Sequence, residues 1–325
     1  MKVLITGGFG FLGSHLAEAF LERGDQVIAL DVGSQAKVRH LIDDDRFRPV
    51  VDSVMNPEIL DGLAAQVDLI YHLAAVVGVE HYVADPYHVL NVNVNGTQNV
   101  LRAAYKHGRR LVFSSTSEVY GRNPTVPWTE DADRVLGPTM IDRWCYSTSK
   151  AVGEHFCLAY RRLGLPVTIL RYFNVYGPRL DRLDVGRVIT IFLGQCLRGD
   201  PVTVIGDGSQ TRCFTYVDDA VRATMAAGLL SRAIGEVINV GSDVETSIRE
   251  LAERMIEIAG GPSTIRLVPQ ESIYGPSYED VGRRVPRLTR MREILDVEAT
   301  VSLAEGLART IAWFREEAPA ASTTR

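Results

Sequence analysis

The sequence lacks the features that mark disulfide-rich, metal-binding and membrane proteins. Only four cysteines occur among its 325 residues, and none of them belongs to a Cys-x-x-Cys pair or shows the spacing of metal ligands. This pattern predicts a reduced, intracellular, cytoplasmic protein without a bound metal. No apolar run reaches the roughly 18 residues that a membrane span needs, so we expect no membrane association.

An excess of positive charge is also absent. The 35 lysines and arginines are outnumbered by 40 aspartates and glutamates, which gives a formal net charge of -5. Such a balance provides no basic field for nucleic acid, so any phosphate site must be a local cluster of arginine or lysine. The hydrophobic share of 46% and the charged share of 23% are typical of a globular protein that buries a sizeable core.

Apolar strands and amphipathic helices alternate along the first half of the chain. We predict strands over residues 2–5, 26–31, 69–73, 110–113 and 166–171. Helical patterns lie between them, notably over residues 13–22, 92–106 and 147–163. The alternation predicts an α/β fold, in which a doubly wound parallel sheet binds ligands beyond the carboxyl ends of its strands.

The pattern changes after about residue 175, where proline and glycine become frequent and short apolar segments such as residues 201–205 alternate with helices. We therefore predict a first domain over residues 1–175 and a smaller α/β substrate-binding lobe over residues 176–317. We expect some crossing of the chain between the two. Residues 318–325 are small and polar, and we predict a disordered tail.

A glycine-rich turn links the first predicted strand to the first helix. Gly7 permits a tight turn, Gly10 lets backbone amides approach a pyrophosphate, and Gly13 allows the helix to pack closely against the strand. Asp31 ends the second strand, where a carboxylate binds the ribose 2′-hydroxyl and repels a 2′-phosphate. No arginine follows it directly, so the motif predicts a Rossmann-type domain that binds NAD rather than NADP.

The spacing of these glycines resembles that of the extended short-chain dehydrogenase/reductase superfamily. Asp52 is similar to its adenine-contacting acid, residues 73–75 to its strand end beside the cofactor, and Asn93 to the first residue of its Asn-Val-x-Gly-Thr segment. The resemblance implies these NAD-binding residues: Gly7, Gly10, Phe11, Leu12, Gly13, Asp31, Asp52, Leu73, Ala74, Ala75, Asn93, Tyr146 and Lys150.

Tyr146 and Lys150 are four residues apart at the start of a helical pattern, which puts both side chains on one helix face. A tyrosine titrates near pH 10, so it becomes a base at neutral pH only with help from nearby positive charge. In the superfamily the tyrosine removes a substrate proton while the sugar passes a hydride to NAD, and the lysine holds the nicotinamide ribose. We expect the same roles here.

Three polar residues follow the predicted strand over residues 110–113, at its carboxyl end. The resemblance implies that Thr116 bonds the substrate oxygen that Tyr146 deprotonates. Ser117 stands where sugar-nucleotide 4,6-dehydratases have an aspartate, and Glu118 stands where many 4-epimerases have a small or apolar residue. A rim carboxylate or a helix-capping acid remains the structural alternative for Glu118.

The Thr-Ser-Glu triplet resembles the UDP-glucuronate decarboxylases. Oxidation of the sugar at C4 yields a β-keto acid, whose C5–C6 bond breaks readily. In this scheme Ser117 bonds the carboxylate, Glu118 serves as an acid or base near C5, and Arg284 is a carboxylate clamp or proton donor. Arg143 resembles a feature of the aminoarabinose-pathway decarboxylases and is a substrate-binding candidate. The sequence leaves open whether the product is UDP-xylose or a UDP-4-keto-pentose.

Other residues resemble the family's sugar-nucleotide site. Asn174 lies in a segment similar to Arg-x-x-Asn-x-Tyr-Gly-Pro, and Arg212 lies in one similar to Gly-Gln-Thr-Arg-x-Phe. Arg212 is the first candidate for the diphosphate, because a guanidinium binds phosphate in a bidentate manner. Arg187 and Tyr278 are weaker candidates for the same UDP-sugar pocket, and Arg187 has a solvated surface arginine as its alternative.

Two functions compete with decarboxylation. The chain could be a 4-epimerase of UDP-glucuronate or another UDP-sugar, or a catalytically silent NAD-binding regulatory protein, although such proteins usually lose the tyrosine or the lysine. The resemblance also implies a homodimer built from the helices over residues 92–106 and 147–163. Val92, Val100, Ala103 and Ala104 belong either to that interface or to the core of one chain.

Overall fold

The computed structural model describes residues 1–269 and 281–321. Its largest element is a parallel sheet of seven strands. From one edge to the other, these strands are β11 (Val237–Val240), β6 (Val167–Tyr172), β5 (Arg110–Thr116), β4 (Leu69–His72), β1 (Lys2–Thr6), β2 (Gln26–Asp31) and β3 (Phe47–Val51). The strand order reverses between β1 and β4, which is where such a sheet opens a ligand crevice. The predicted α/β Rossmann fold is confirmed.

Helices cover both faces of this sheet because successive strand residues point to opposite sides. Val3 and Ile5 of β1 belong to one apolar cluster, and Leu4 belongs to another on the opposite face. The first face is covered by α1 (Phe11–Glu22) and α8 (Val217–Leu229), and the second by α2 (Pro57–Ala64), α5 (Thr97–Lys106) and α6 (Arg143–Arg162).

Short strands and helices form the smaller lobe. Its strands are β7 (Val175–Tyr176), β8 (Val202–Ile205), β9 (Thr211–Cys213), β10 (Thr215–Tyr216), β12 (Glu245–Ser247), β13 (Ile265–Val268) and β14 (Arg283–Arg284), and its helices are α7 (Val188–Arg198), α9 (Ile248–Ala259), α10 (Thr289–Leu295) and α11 (Leu303–Ala321). β9 lies between β12 and β14 in a three-stranded sheet. Although both elements follow residue 176, β11 is a strand of the large sheet and α8 covers one of its faces. The domain boundary near residue 175 therefore stays a prediction.

The predicted helix over residues 92–106 is not continuous. It begins with a π-helical turn, Val92–Gly96, and becomes α-helical only in α5. The side chains of Val100, Ala103 and Ala104 are buried in the core beneath the sheet, and Val92 packs against the same cluster. These four residues therefore belong to the core of one chain, which removes them from the predicted dimer interface.

The last helix reaches into the predicted tail. α11 extends to Ala321, within the segment 318–325. Disorder of this segment stays a prediction, and residues 322–325 lie outside the described residues. Among the described helices, none combines the length and apolar character needed to cross a membrane.

Candidate active site

A cleft of about 1240 Å³ opens at the carboxyl ends of the large sheet and is closed on its far side by the smaller lobe. It brings together most of the site residues predicted from the sequence. Those that line it are Gly7, Gly10, Phe11, Leu12, Gly13, Asp31, Asp52, Leu73, Ala74, Ala75, Thr116, Ser117, Glu118, Arg143, Tyr146, Lys150, Asn174, Arg187, Arg212 and Arg284.

The glycine turn has the geometry of a pyrophosphate cradle. Gly7 has a φ of 74°, a value that residues with a side chain rarely adopt. A Cβ on Gly13 would lie 2.1 Å from the Gly7 carbonyl oxygen, so α1 can approach β1 only without a side chain there. α1 begins directly after Gly10 and has no side-chain cap, which leaves its first N–H groups for an anion in the cleft.

Two carboxylates extend this cradle along the sheet edge. Asp31 accepts hydrogen bonds from the backbone N–H groups of Phe9 (3.1 Å) and Gly33 (2.9 Å), which hold it at the end of β2. Asp52 follows β3 and accepts a hydrogen bond from the backbone of Ser53 (2.7 Å). The glycines let the backbone come close to a ligand, and the N-terminus of α1 is free to face an anion. With a carboxylate placed to bind a ribose, this arrangement fits a dinucleotide.

Asn93 does not line the cleft, and its predicted role in cofactor binding stays a prediction. Its side chain accepts a hydrogen bond from Val76 N (2.8 Å) and donates to Val76 O (3.2 Å) and Ser149 Oγ (3.1 Å). Because Ser149 Oγ donates in turn to the Tyr146 carbonyl (2.8 Å), Asn93 joins the backbone at Val76 to helix α6.

Tyr146 and Lys150 lie one turn apart on α6, which begins at Arg143, four residues before the predicted start. Both side chains are buried, and the Tyr146 phenol shares a hydrogen bond with Thr116. The Lys150 ammonium donates to the Ser114 carbonyl (2.7 Å) at the end of β5. The predicted base, its hydroxyl partner and its lysine thus meet at one strand end.

Burial alters the protonation of both groups. It raises the pKa of Tyr146 above its ordinary value, and the negative charge of Glu118 raises it further, while Arg187 and the bond to Thr116 lower it only in part. Burial lowers the pKa of Lys150 to about 8. The phenol is therefore protonated at neutral pH, and it needs an additional positive charge close by before it can act as a base.

Tyr82 is a site residue that the sequence did not reveal. It lies on α3 (Val79–Ala84), and its ring stacks on that of Tyr146 with centroids 4.8 Å apart and planes 12° from parallel. The side chain is buried and lines the cleft. No motif marks it, since a tyrosine in a short helix after a strand resembles any core aromatic residue.

Glu118 lies between two arginines in the same cleft. Arg284 Nη1 donates to Glu118 Oε1 at 2.5 Å, and Arg143 Nη2 lies 3.4 Å from both carboxylate oxygens. Ser147 Oγ donates to the Glu118 carbonyl (2.7 Å), which joins this group to the helix turn that carries Tyr146. Ser117 is buried beside it and also lines the cleft.

The charges around Glu118 determine its protonation state. Burial alone would raise the pKa of this carboxyl, but the charges of Arg284 and Arg143 and the hydrogen bond from Arg284 lower it to about 2. Glu118 is therefore ionised at neutral pH, the state in which a carboxylate can accept a proton. Its predicted role as an acid or base near C5 stays a prediction, and the ion pairs show that it also anchors the two arginines.

The phosphate candidates lie where the smaller lobe meets the cleft. Arg212 is buried on β9 and donates to the Thr211 carbonyl (2.8 Å). Asn174 donates to the Cys213 carbonyl (3.0 Å), and Arg187 precedes α7 with its guanidinium 5.8 Å from the centre of the Phe11 ring. Tyr278 lies outside the described residues.

The chain belongs to the NAD dependent epimerase/dehydratase family, whose sequence profile matches residues 3–241. The predicted resemblance to extended short-chain dehydrogenases/reductases is thereby confirmed. NAD is accordingly the cofactor, in agreement with the glycine turn and Asp31. The cleft residues at this edge of the sheet, among them Gly7, Asp31 and Ala75, would hold the NAD.

Individual relatives narrow this class. The chain is 42% identical to the UDP-N-acetyl-alpha-D-glucosaminuronate decarboxylase of Bacillus cytotoxicus, over 97% of this chain and 98% of the relative. It is 37% identical to UDP-glucuronic acid decarboxylase 1 of Arabidopsis thaliana, over 97% of this chain and 70% of that protein. Its structure is similar to that of UDP-glucuronic acid 4-epimerase from Bacillus cereus in complex with UDP-glucuronic acid and NAD, with a TM-score of 0.87, 31% identity and coverage of 97% and 99% of the two chains.

Proposed function

We propose that this protein is an NAD-dependent decarboxylase of a UDP-linked hexuronate, with UDP-glucuronate as its substrate. The observation that carries the proposal is the Glu118 carboxylate between Arg284 and Arg143, in the same cleft as Tyr146. A carboxylate-bearing sugar needs cations at its C6 end, and a base at its C4 end. Both are present in one cleft.

Tyr146 and Thr116 act at C4. NAD supplies the hydride acceptor for C4 and a positive ring beside the phenol. Tyr146, once its pKa is lowered by that charge, takes the O4 proton, and Thr116 bonds the same sugar oxygen. Lys150 orders this end through its bond to the Ser114 carbonyl. The product of the step is a 4-keto sugar whose carboxylate lies β to the carbonyl.

Arg143, Arg284 and Ser117 act at C6. They bind the carboxylate, and Glu118 offsets part of the arginines' charge so that the carboxylate is not held too firmly to leave. When the C5–C6 bond breaks, its electron pair enters an enolate through C5 and the C4 carbonyl, and carbon dioxide departs. C5 then takes a proton.

The relatives' names leave the substituent at C2 to be tested. The bacterial relative acts by name on an N-acetylglucosaminuronate, whereas the plant relative acts on glucuronate. The decisive experiment incubates the purified protein with NAD and, separately, UDP-glucuronate, UDP-N-acetylglucosaminuronate and UDP-glucose, followed by mass spectrometry of the products. From a uronate only, we expect loss of one carbon dioxide, about 44 mass units, if the product is a pentose. A 4-keto-pentose, which has also given up a hydride and a proton, would be lighter than the substrate by about 46 mass units.

The same experiment separates the competing functions. A 4-epimerase, the class to which the Bacillus cereus structure belongs by name, returns an isomer of unchanged mass. A regulatory protein binds NAD but converts none of the three sugar nucleotides. Net absorbance of reduced cofactor distinguishes a UDP-4-keto-pentose product, which leaves NADH behind, from UDP-xylose, which does not.

We also propose that the protein is a cytoplasmic homodimer. The four cysteines are all described and unpaired, as in a reducing compartment. The outer faces of α5 and α6 support an interface: Tyr105 is 46% exposed, and Leu163, just after α6, is 62% exposed. Light scattering at two protein concentrations checks the dimer, and a mass equal to one chain at both concentrations would contradict it.

A further inference from the structure

Arg284 reaches the cleft from a short element. It ends β14, a strand of two residues that pairs with β9. The residues after it are tied to a distant loop, because Trp128 N donates to the Val285 carbonyl (2.8 Å) and Arg287 N donates to the Trp128 carbonyl (2.7 Å). The placement of Arg284 therefore depends on what holds Trp128.

Trp128 is held against the segment that carries Glu118. Its fully buried ring stacks on that of Tyr120, with centroids 4.9 Å apart. Tyr120 ends the short 3-10 helix Ser117–Tyr120, two residues after Glu118. Both partners of the Glu118–Arg284 ion pair are thus followed, within a few residues, by segments that meet at one buried point.

Asn239 occupies that point. It lies on β11, is fully buried and does not line the cleft. Its Nδ2 donates to the carbonyls of Trp128 (3.0 Å) and Arg287 (3.3 Å), and its Oδ1 accepts the Tyr120 hydroxyl (2.7 Å). These three bonds use both N–H groups of the amide and its oxygen, and they join both segments.

The same hydrogen-bond network continues to helix α6, which carries Tyr146 and Lys150. Arg171 Nη1 donates to the Tyr120 hydroxyl (2.9 Å), and its Nε and Nη2 donate to the Glu154 carboxylate (2.9 and 2.7 Å). Glu154 lies one turn after Lys150 on α6 and accepts the Ser115 hydroxyl (2.5 Å). This part of the network is anchored in the large sheet and α6, so it is a rigid base for the Tyr120–Asn239 contact.

We propose that Asn239, together with the Tyr120 hydroxyl, is a positioning pair that sets the Glu118–Arg284 ion pair for cleavage of the C5–C6 bond. The proposal rests on the proposed decarboxylase function. Neither residue touches the substrate; each acts through the backbone beside Glu118 or Arg284. A small displacement of a catalytic group lowers its rate strongly, so loosening this contact affects decarboxylation while oxidation by Tyr146 continues.

The test compares Tyr120→Phe and Asn239→Ser with Tyr71→Phe. The control removes another fully buried tyrosine hydroxyl, which donates to the Met225 carbonyl (3.2 Å); neither Tyr71 nor Met225 lines the cleft. With UDP-glucuronate and NAD, we expect both network variants to release carbon dioxide about tenfold more slowly, the rate equivalent of one lost buried hydrogen bond. Products that keep the carboxylate, as 4-keto sugar or C4 epimer, should rise in the same proportion.

Two outcomes would overturn the inference. One is an unchanged ratio of decarboxylated to carboxylate-bearing product in Tyr120→Phe; the other is an equal loss of C4 oxidation and carbon dioxide release, which is what a general loss of stability produces. If Asn239→Ser does not fold, Tyr120→Phe alone decides, since it removes a single oxygen atom.

A binding measurement separates this inference from the proposed function. If the wild-type protein releases no carbon dioxide, the proposed function fails, and calorimetry of UDP-glucuronate against UDP-glucose then tests the positioning pair. We expect the preference for the carboxylate-bearing ligand to fall about tenfold in both network variants and to persist in Tyr71→Phe. An unchanged preference overturns the inference.

Discussion

Tyr146 and Lys150 reach the cleft from one turn of one helix, whereas Glu118 and Arg284, which form an ion pair in the same cleft, are 166 residues apart in the sequence. The first pair needs only local helical geometry, and such an arrangement can be shared by every enzyme that oxidises a sugar at C4. The second needs both lobes to be folded and in register. We infer that the residues for C4 oxidation are the part of this site that other sugar-oxidising enzymes can share, and that the residues facing the carboxylate are the part that sets this protein apart.

The strongest test of this division removes the base. In Tyr146→Phe we expect both C4 oxidation and carbon dioxide release to fall about 10³-fold, because general base catalysis contributes on that order and decarboxylation requires the 4-keto sugar. Rates from mass spectrometry with UDP-glucuronate check the prediction, and calorimetry confirms that the ligand still binds. Carbon dioxide release at the wild-type rate would break the comparison, since the two ends would then be independent.

A smaller effect is expected at the carboxylate end. Arg284→Met should slow carbon dioxide release about 100-fold, the equivalent of a lost hydrogen bond between charged groups. C4 oxidation should persist, so that carboxylate-bearing products accumulate. Arg283→Met is the matched control, because this neighbouring arginine is exposed and pairs with Glu245 outside the cleft. If Arg284→Met loses oxidation and decarboxylation equally, the two ends act as one unit.

The smallest effect concerns stability against pH. The arginines lower the pKa of Glu118 from its ordinary value to about 2, so the stabilisation is fully present above the unfolded-state pKa and is lost as pH falls toward the folded one. Between about pH 5 and about pH 3.5, we expect the wild-type free energy of unfolding to fall by ~1 kcal/mol more than that of Glu118→Gln. Urea unfolding at both pH values measures this, and parallel losses would show that Glu118 is not held by its arginines.

The parts of the fold that were predicted share a local cause. The predicted strands over residues 26–31 and 110–113 are largely buried on both faces, so their apolar runs are visible in the sequence. The cofactor cradle was also visible locally, because Gly7 has a positive φ and Gly13 packs against the Gly7 carbonyl, six residues before it. The π-helical turn Val92–Gly96 was not predicted, because its apolar spacing is the same as that of an α-helix.

The features of the site that the sequence did not show depend on partners that are distant in sequence. The motif of Asn93 does not show that its amide bonds Val76 and Ser149. The triplet that contains Glu118 does not show that two arginines lower the pKa of this carboxyl. Tyr82 went unnoticed because only its stacking on Tyr146 distinguishes it from a core residue.

By itself, the sequence determined the Rossmann sheet, the NAD cofactor and the placement of Tyr146 and Lys150 on one helix turn. Each of these follows from spacings of a few residues, over which backbone geometry leaves little freedom. Only the tertiary structure decided the charge state of Glu118, the anchoring of Arg284 and the meeting of Tyr120, Trp128 and Asn239. Electrostatic and hydrogen-bond energies depend on distances in space, and for these groups chain folding alone creates the distances.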